Sequence, residues 1–130
     1  MGAEFTFFDR KAEDGSNVIR VWLDSIAKGA KAKFNNRLRH LEATPPGQWT
    51  RPLVDTLDGH CAGLFEVRVA VGRIQYRILG YHNAVREPTL VHPFIKPGAK
   101  VPEGDCDEAF ALRDVVDANP KKYRREHDYE

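Results

Sequence analysis

Residues 63–81 read Gly63-Leu64-Phe65-Glu66-Val67-Arg68-Val69-Ala70-Val71-Gly72-Arg73-Ile74-Gln75-Tyr76-Arg77-Ile78-Leu79-Gly80-Tyr81, and apolar and polar side chains alternate through most of this stretch. Alternation with a period of two is typical of β-strands, and a glycine between two such runs indicates a two-residue turn. A turn at Val71-Gly72 places Glu66 opposite Arg77. The stretch therefore predicts a tight β-hairpin.

The predicted hairpin has two different faces, because side chains alternate across a strand. The apolar face, expected to lie on the core, carries Phe65, Val67, Val69, Ile74, Tyr76 and Ile78. The other face carries Arg68 and Arg77, and guanidinium groups held on a rigid sheet can bind a phosphate group through paired hydrogen bonds. A solvated face is the alternative, since exposed sheet faces commonly carry arginine. An ion pair between Glu66 and Arg77 is a further structural alternative.

Length and composition predict a single domain over residues 1–130. The chain is 42% hydrophobic and 30% charged, which is ordinary for a globular protein. No apolar run approaches the ~20 residues of a membrane span, and no secretory signal is visible, so we expect a cytoplasmic protein without membrane contact. Cys61 and Cys106 form no CxxC spacing and are predicted to be free thiols rather than metal ligands.

The formal net charge of +1 conceals segregated charges. Basic residues concentrate in 28–40 and 121–125, and acidic residues in 103–117. Such patches can bind a polyanion on one side and a different partner on the other, whereas the plainer alternative is two solvated helix surfaces.

The remaining elements follow from periodicity and chain breakers. A strand is predicted over 4–9, and a helix follows the cap at Asp14-Gly15-Ser16. A second helix begins near Lys28-Gly29 and ends at Thr44-Pro45-Pro46-Gly47, which gives an antiparallel helix pair. Residues 48–61 are predicted to be an ordered connection anchored by Trp49.

After the hairpin, a loop over 83–88 and a strand over 89–96 are predicted. Pairing Tyr81 with Leu90 places His92 opposite Leu79, Phe94 opposite Arg77 and Lys96 opposite Gln75, so that His92 and Lys96 join the arginine face. A slip of one residue would remove both. A final helix capped by Asp105 ends at Asn119-Pro120, and the tail over 121–130 is predicted to be frayed or disordered.

Four motifs in this order resemble the RelE/HigB superfamily of bacterial toxins, and most of all its phage-associated HigB-like branch. They are Arg51-Pro52-Leu53-Val54 with Leu57 ahead of 63–68, Tyr76-Arg77-Ile78-Leu79, His92-Pro93-Phe94-Ile95-Lys96 with Lys100 and Pro102, and the run 109–113. The resemblance implies an α+β, RelE-like fold. In it an N-terminal strand and a helix hairpin pack on an antiparallel β-meander, with a C-terminal helix.

The resemblance also implies a function. Its members are toxins of type II toxin–antitoxin systems that cut mRNA on the ribosome without metal or other cofactor. Cleavage proceeds by attack of the RNA 2′-hydroxyl on the adjacent phosphate. The expected partners are therefore mRNA, the ribosome and a cognate antitoxin, a helix-turn-helix protein from an adjacent gene.

Such cleavage needs a group that takes the 2′-proton, groups that hold charge on the phosphate and a group that protonates the leaving oxygen. The positions that match the family are Arg68, Arg77, His92 and Lys96, and these are the predicted catalytic residues. Arg73, Tyr81, Lys100, Lys31, Lys33 and Arg37 are the predicted RNA-binding residues, with Tyr81 able to stack on a base. For Lys31, Lys33 and Arg37 the alternative is a solvated helix face.

One departure from the family pattern bears on activity. Pro97 follows Lys96 where many relatives have a second basic residue, so one phosphate contact is missing. The alternative function is therefore a non-catalytic adapter of phage origin that binds RNA or protein on the same scaffold. A DNA-binding regulator is disfavoured, because no helix-turn-helix pattern is evident.

Overall fold

The structure, a computed structural model, describes residues 4–45, 47–51, 53–84 and 86–130. It has an α+β architecture in which helices pack against a six-stranded, mostly antiparallel sheet. The elements are β1 (Phe8–Arg10), α1 (Val18–Ser25), α2 (Lys28–Glu42), β2 (Asp55–Thr56), a 3-10 turn (Gly59–Cys61), β3 (Phe65–Val71), β4 (Ile74–Ala84), β5 (Glu87–Ile95), α3 (Glu103–Ala118), α4 (Pro120–Tyr123) and β6 (Arg124–Glu126).

The sheet order is β2-β3-β4-β5-β1-β6, and only the β1–β5 pair is parallel. The two predicted helices before the hairpin are confirmed. The first strand and the cap of the first helix differ from the prediction. The first strand is β1 rather than 4–9, and the cap of α1 is Asn17, whose side chain accepts from the Arg20 amide. Among the described residues, no helix is long and apolar enough to cross a membrane.

The β3–β4 hairpin forms, but its turn is Gly72-Arg73 instead of Val71-Gly72. Gly72 has a φ of +61°. A two-residue turn with a left-handed first position needs glycine there, which moves the turn on by one residue. Arg68 now pairs with Arg77, and this shift of two in pairing leaves every side chain on its predicted face.

The β4–β5 pairing follows the prediction for part of its length. Leu79 pairs with His92 and Arg77 with Phe94, as expected. An irregularity after Leu79 then pairs Tyr81 with Thr89 rather than with Leu90, and the strands extend to Ala84 and from Glu87, so the predicted loop over 83–88 is wrong. The ladder ends at the pair Tyr76–Ile95, so Lys96 lies one residue beyond it and the predicted pair with Gln75 does not form.

Two apolar layers lie on opposite faces of the sheet. The first joins α1 and α2 to the apolar face of the hairpin, through Ile19, Leu23, Phe34, Leu38, Leu41, Val67, Val69, Tyr76 and Ile78. Trp49 packs against this layer beside Phe5, Phe7 and Phe65, as its predicted anchoring role requires. The second layer joins α3 to the arginine face, through Leu64, Leu79, Tyr81, Val91, Phe94, Val101, Ala109 and Val116. The arginine face is therefore covered by α3 at one end.

A disulfide joins Cys61 to Cys106, so the prediction of two free thiols is wrong. It ties the 3-10 turn ahead of β3 to the first turns of α3. The positions on either side of Cys106 make two further contacts: Asp107 bonds His60 of the same 3-10 turn at 2.6 Å, and Asp105 bonds His92 of β5 at 2.8 Å. Asp105, predicted as the helix cap, therefore pairs with β5 instead, and Pro102 precedes the first turn of α3.

Replacing both cysteines by alanine should lower the free energy of unfolding by about 4 kcal/mol, the chain-entropy estimate for the 45-residue separation. Urea unfolding followed by circular dichroism measures the loss. Adding a reductant to the wild-type protein should reproduce it, whereas the double variant should not respond to reductant. Two titratable thiols in the folded, oxidised wild-type protein would contradict the assignment.

The tail, predicted to be frayed, is part of the sheet. β6 pairs with β1, and the His127 amide donates to the Phe7 carbonyl at 2.8 Å. The His127 ring is buried between Asp9, at 2.8 Å from Nδ1, and Asn35, at 2.9 Å from Nε2. Asp9 is itself buried, so the tail supplies the partner that its carboxylate needs.

His127→Ala should therefore cost about 3 kcal/mol of unfolding free energy, because it leaves Asp9 buried without its ring partner. Glu126→Ala, at the exposed neighbouring position, is the matched control and should change stability by less than about 0.5 kcal/mol. Thermal unfolding of both variants gives the comparison. Equal stabilities would show that the tail contributes little to the fold.

Candidate nucleic-acid interface

A cleft of about 1070 Å³ lies along the outer edge of β3. β2 pairs with β3 only at Glu66 and Phe65, so the rest of β3 has no strand neighbour on that side among the described residues. Side chains from α2, from residues 51 and 53–55 and from β3 line the cleft, and Gly98 and Ala99 border it. The short β2 thus leaves the edge open where the hairpin carries Arg68.

One face of α2 forms a wall of the cleft. Lys33, Arg37 and His40 line it, and their spacing of four and three residues places them on one side of a helix. Lys33 donates to the Ala70 carbonyl at 3.1 Å, and Arg37 donates to the Arg68 carbonyl. These bonds satisfy carbonyl groups of the open edge of β3. Lys31 points elsewhere, to Asp24 at 2.5 Å and to the Glu130 carbonyl, so it is not part of the cleft.

The cleft contains more positive than negative charge. The cationic side chains that line it are Lys33, Arg37, Arg51 and Arg68, and the carboxylates are Asp55 and Glu66. Arg51 is exposed and forms an ion pair with Asp55 at 2.9 Å, and Arg68 makes a long contact of 3.5 Å with the Ala99 carbonyl. Because Arg51 and Arg68 make so few contacts, their side chains can turn toward a bound phosphate.

Arg77 lies beneath this surface, which corrects the expectation of an open arginine face. Its side chain is fully buried, and Nη1 donates to Glu66 at 3.1 Å. Nη2 donates to Gln75 and to the Gly98 carbonyl, and Nε has no partner among the described residues. The backbone at Gly98 covers the guanidinium, so the ion pair with Glu66, the structural alternative, is what forms.

Glu66 lines the bottom of the cleft and is 1% exposed. Burial raises the pKa of its carboxyl above the usual range, and this effect exceeds the opposing attraction of Arg77 and Arg68. A carboxyl with a raised pKa in a cleft is a candidate for proton transfer. Sequence reasoning considered Glu66 only as an ion-pair partner.

The sequence matches the family described as phage-derived Gp49-like protein (DUF891) over residues 21–114. The chain belongs to this Gp49-like family. The family is one of RelE/HigB-like toxins, so the resemblance stated on sequence motifs holds at that level. Among curated proteins, none matches the chain significantly.

In this Gp49-like chain, the predicted catalytic residues His92 and Lys96 lie outside the cleft. His92 bonds Asp105 and stacks on Phe94 with ring centroids 5.2 Å apart, and therefore holds α3 against β5. Lys96 is exposed just beyond β5. Of the four predicted catalytic residues, the structure brings only Arg68 to the wall of the cleft, with Arg77 buried beneath it.

The predicted RNA-binding residues also divide. Lys33 and Arg37 line the cleft, Lys100 lies beside Arg51 in a shallow depression next to it, and Arg73 is exposed at the hairpin turn. Tyr81 is buried and its hydroxyl donates to Asp117 at 2.9 Å, so its ring offers no face to a base. Burial also raises the pKa of Tyr81.

Sequence reasoning places Gln75 on the arginine face, but it misses His40 and Arg51 as cleft residues. His40 follows Arg37 by three positions and Lys33 by seven, so helical spacing alone identifies it as a neighbour of both. No comparable signal exists for Arg51, because its position depends on how the chain after α2 returns to the edge of β3.

Proposed function

We propose that this Gp49-like chain is the toxin of a type II toxin–antitoxin system and a metal-independent endoribonuclease that cuts mRNA on the ribosome. The observation that supports it is the cleft, which four cationic side chains line together with a buried carboxyl whose pKa is raised. Cationic side chains suit a phosphate backbone, and a carboxyl of this kind suits proton transfer. The family and the geometry point in the same direction.

In the proposed reaction, Glu66 accepts the proton of an RNA 2′-hydroxyl as its oxygen attacks the adjacent phosphorus. The bond from phosphorus to the 5′-oxygen of the next nucleotide breaks, which leaves a 2′,3′-cyclic phosphate and a free 5′-hydroxyl. Arg68 holds the negative charge that develops on the phosphate oxygens. His40 protonates the leaving oxygen, since imidazole can both accept and donate a proton and this ring lines the cleft.

Lys33, Arg37 and Arg51 bind neighbouring phosphates and set the path of the strand. For single-stranded nucleic acid, each phosphate contact contributes about −0.7 to the slope of log affinity against log salt. Removing one contact residue should therefore reduce that slope by about 0.7. Neutralisation by the antitoxin follows if the antitoxin covers the same cleft.

The proposal is tested by controlled expression in a bacterial host and by mapping new 5′ ends on one translated and one untranslatable reporter transcript. Arg68→Ala is the informative variant, because Arg68 reaches the cleft wall without being buried. Arg125→Ala is its matched control, an exposed arginine on β6 at the opposite edge of the sheet.

We expect cuts in the translated transcript alone, lost with Arg68→Ala and retained with Arg125→Ala. Equal cutting of both transcripts would show that the protein cuts RNA without the ribosome. No cutting by folded wild-type protein would overturn the enzymatic proposal and favour the RNA- or protein-binding adapter.

A further inference from the structure

Residues 96–100, here called the strap, cross the buried guanidinium of Arg77. All five are exposed, and none belongs to a helix or strand. The chain on either side is fixed, because Ile95 ends β5 and Val101 is buried in the layer under α3. The strap therefore lies on the surface between two anchored ends, without an apolar side chain of its own in the core.

Two hydrogen bonds hold the strap among the described residues, and both come from the arginine face. Arg77 donates to the Gly98 carbonyl, and Arg68 donates to the Ala99 carbonyl at 3.5 Å. Consecutive carbonyl oxygens thus receive two guanidinium groups, as two oxygens of one phosphate group would. The strap occupies the position in which this pair of arginines would hold a phosphate.

A phosphate is the better acceptor at this position. A phosphate adds the attraction of opposite charges to the hydrogen bond, and it can accept two parallel bonds from one guanidinium group, which a single carbonyl oxygen cannot match. Arg77 also retains an unpartnered Nε, so its five donors are not satisfied by the strap and its other contacts. An anion can use donors that the neutral carbonyls leave free.

Opening the strap exposes little apolar surface. Segments that are exposed and held by few hydrogen bonds open locally at low free-energy cost. Movement between Ile95 and Val101 is sufficient and leaves the sheet and α3 in place. It also carries Lys96 and Lys100 with the segment, so that their ammonium groups can follow a bound strand.

We propose that the strap is an autoinhibitory cover, and that the phosphodiester group of a single-stranded nucleic acid displaces it to reach Arg68 and Arg77. This regulation rests on the proposed function for the use of the same cleft. It accounts for a buried guanidinium in a site where a phosphate is to bind. Binding and opening are then one equilibrium, and a change that weakens the closed strap raises affinity by the same factor.

Gly98→Ala is the variant that weakens the closed strap. Gly98 has a φ of +93°, and a Cβ there would meet no atom within 4 Å, so the substitution strains the closed backbone without a steric clash. Gly15→Ala is a matched control. Gly15 has a φ of +88°, equally open surroundings and a place in the turn before α1.

The probe is a fluorescein-labelled single-stranded 2′-deoxyoligonucleotide, which lacks the hydroxyl needed for cleavage, and its affinity is measured by fluorescence anisotropy. We expect Gly98→Ala to bind about tenfold more tightly than wild type, and Gly15→Ala to bind as wild type does. Equal affinities for the two variants would overturn the strap proposal. Absence of RNA cleavage, with the tenfold gain intact, would overturn only the proposed enzymatic function.

A second measurement needs no variant. In 15N-labelled wild-type protein, the Arg77 Nε–H resonance should shift when the deoxyoligonucleotide binds, because displacement of the strap brings a phosphate to that donor. The Gly98 amide should shift with it at the same oligonucleotide concentrations. Binding that leaves both resonances unchanged would show that the strap stays closed and would overturn the proposal.

Discussion

Arg77→Ala is expected to lower the free energy of unfolding by about 3–5 kcal/mol at neutral pH. The substitution leaves the Glu66 carboxylate buried without its counter-charge, and breaking one side of a buried ion pair has a cost of this size. Urea unfolding followed by circular dichroism measures it. Arg73→Ala removes an exposed arginine from the turn of the same hairpin and should change stability by less than about 0.5 kcal/mol.

The pH dependence of the Arg77→Ala variant identifies the cause. The pKa of Glu66 is raised by burial in the wild-type fold, and loss of Arg77 removes an interaction that lowers it. The folded state therefore binds a proton more tightly than the unfolded state does. Stability of the variant should increase as the pH falls from 7 toward 4.5. A pH-independent loss of less than about 1 kcal/mol would show that the pair is screened by solvent.

This result changes how Arg77 can be used as a test of function. Parity along the hairpin places Arg77 on an open face, where an alanine substitution would separate catalysis from folding. The structure instead makes Arg77 part of the framework under the cleft. Loss of toxicity in Arg77→Ala would therefore follow from unfolding as readily as from a lost phosphate contact, and Arg68 is the position that separates the two.

The elements that could be predicted from sequence are those in which local chemistry agrees with packing. The faces of the hairpin were predicted correctly although the pairing was off by two, because a two-residue shift keeps the parity of every side chain. The spacing of Phe34, Leu38 and Leu41 predicts α2, and it leaves Lys33 and Arg37 outside that apolar stripe.

The features that could not be predicted depend on distant parts of the chain meeting. Cys61 and Cys106 are 45 residues apart, and they can form a disulfide because α3 packs on the arginine face. The burial of His127 depends on Asp9, which is 118 residues away. The cover over Arg77 likewise depends on the path of the strap, whose exposed residues carry no pattern that indicates it.

Glu66→Gln is expected to reduce the rate constant for RNA cleavage by about 10²–10⁴-fold, the usual contribution of a positioned general base. The amide keeps the shape of the side chain and an oxygen for Arg77 but cannot take the 2′-proton. Because it also removes the counter-charge of the buried Arg77, the rate is compared under conditions in which circular dichroism shows the variant to be folded. Affinity for a 2′-deoxyoligonucleotide should stay the same or increase, since a negative charge leaves the cleft. Single-turnover cleavage of a labelled RNA and anisotropy with the deoxy analogue measure the two effects separately.

The pH profile makes the role of Glu66 specific. Only the carboxylate accepts a proton, so the wild-type rate should increase with pH through a pKa that burial places above the ordinary glutamate value. Below that pKa the rate should fall tenfold per pH unit, and Glu66→Gln should lose this dependence. Asp55→Asn, at the other carboxylate of the cleft, is the matched control and should keep the profile. If Glu66→Gln retains both the rate and the profile, another group accepts the proton and the buried ion pair is purely structural.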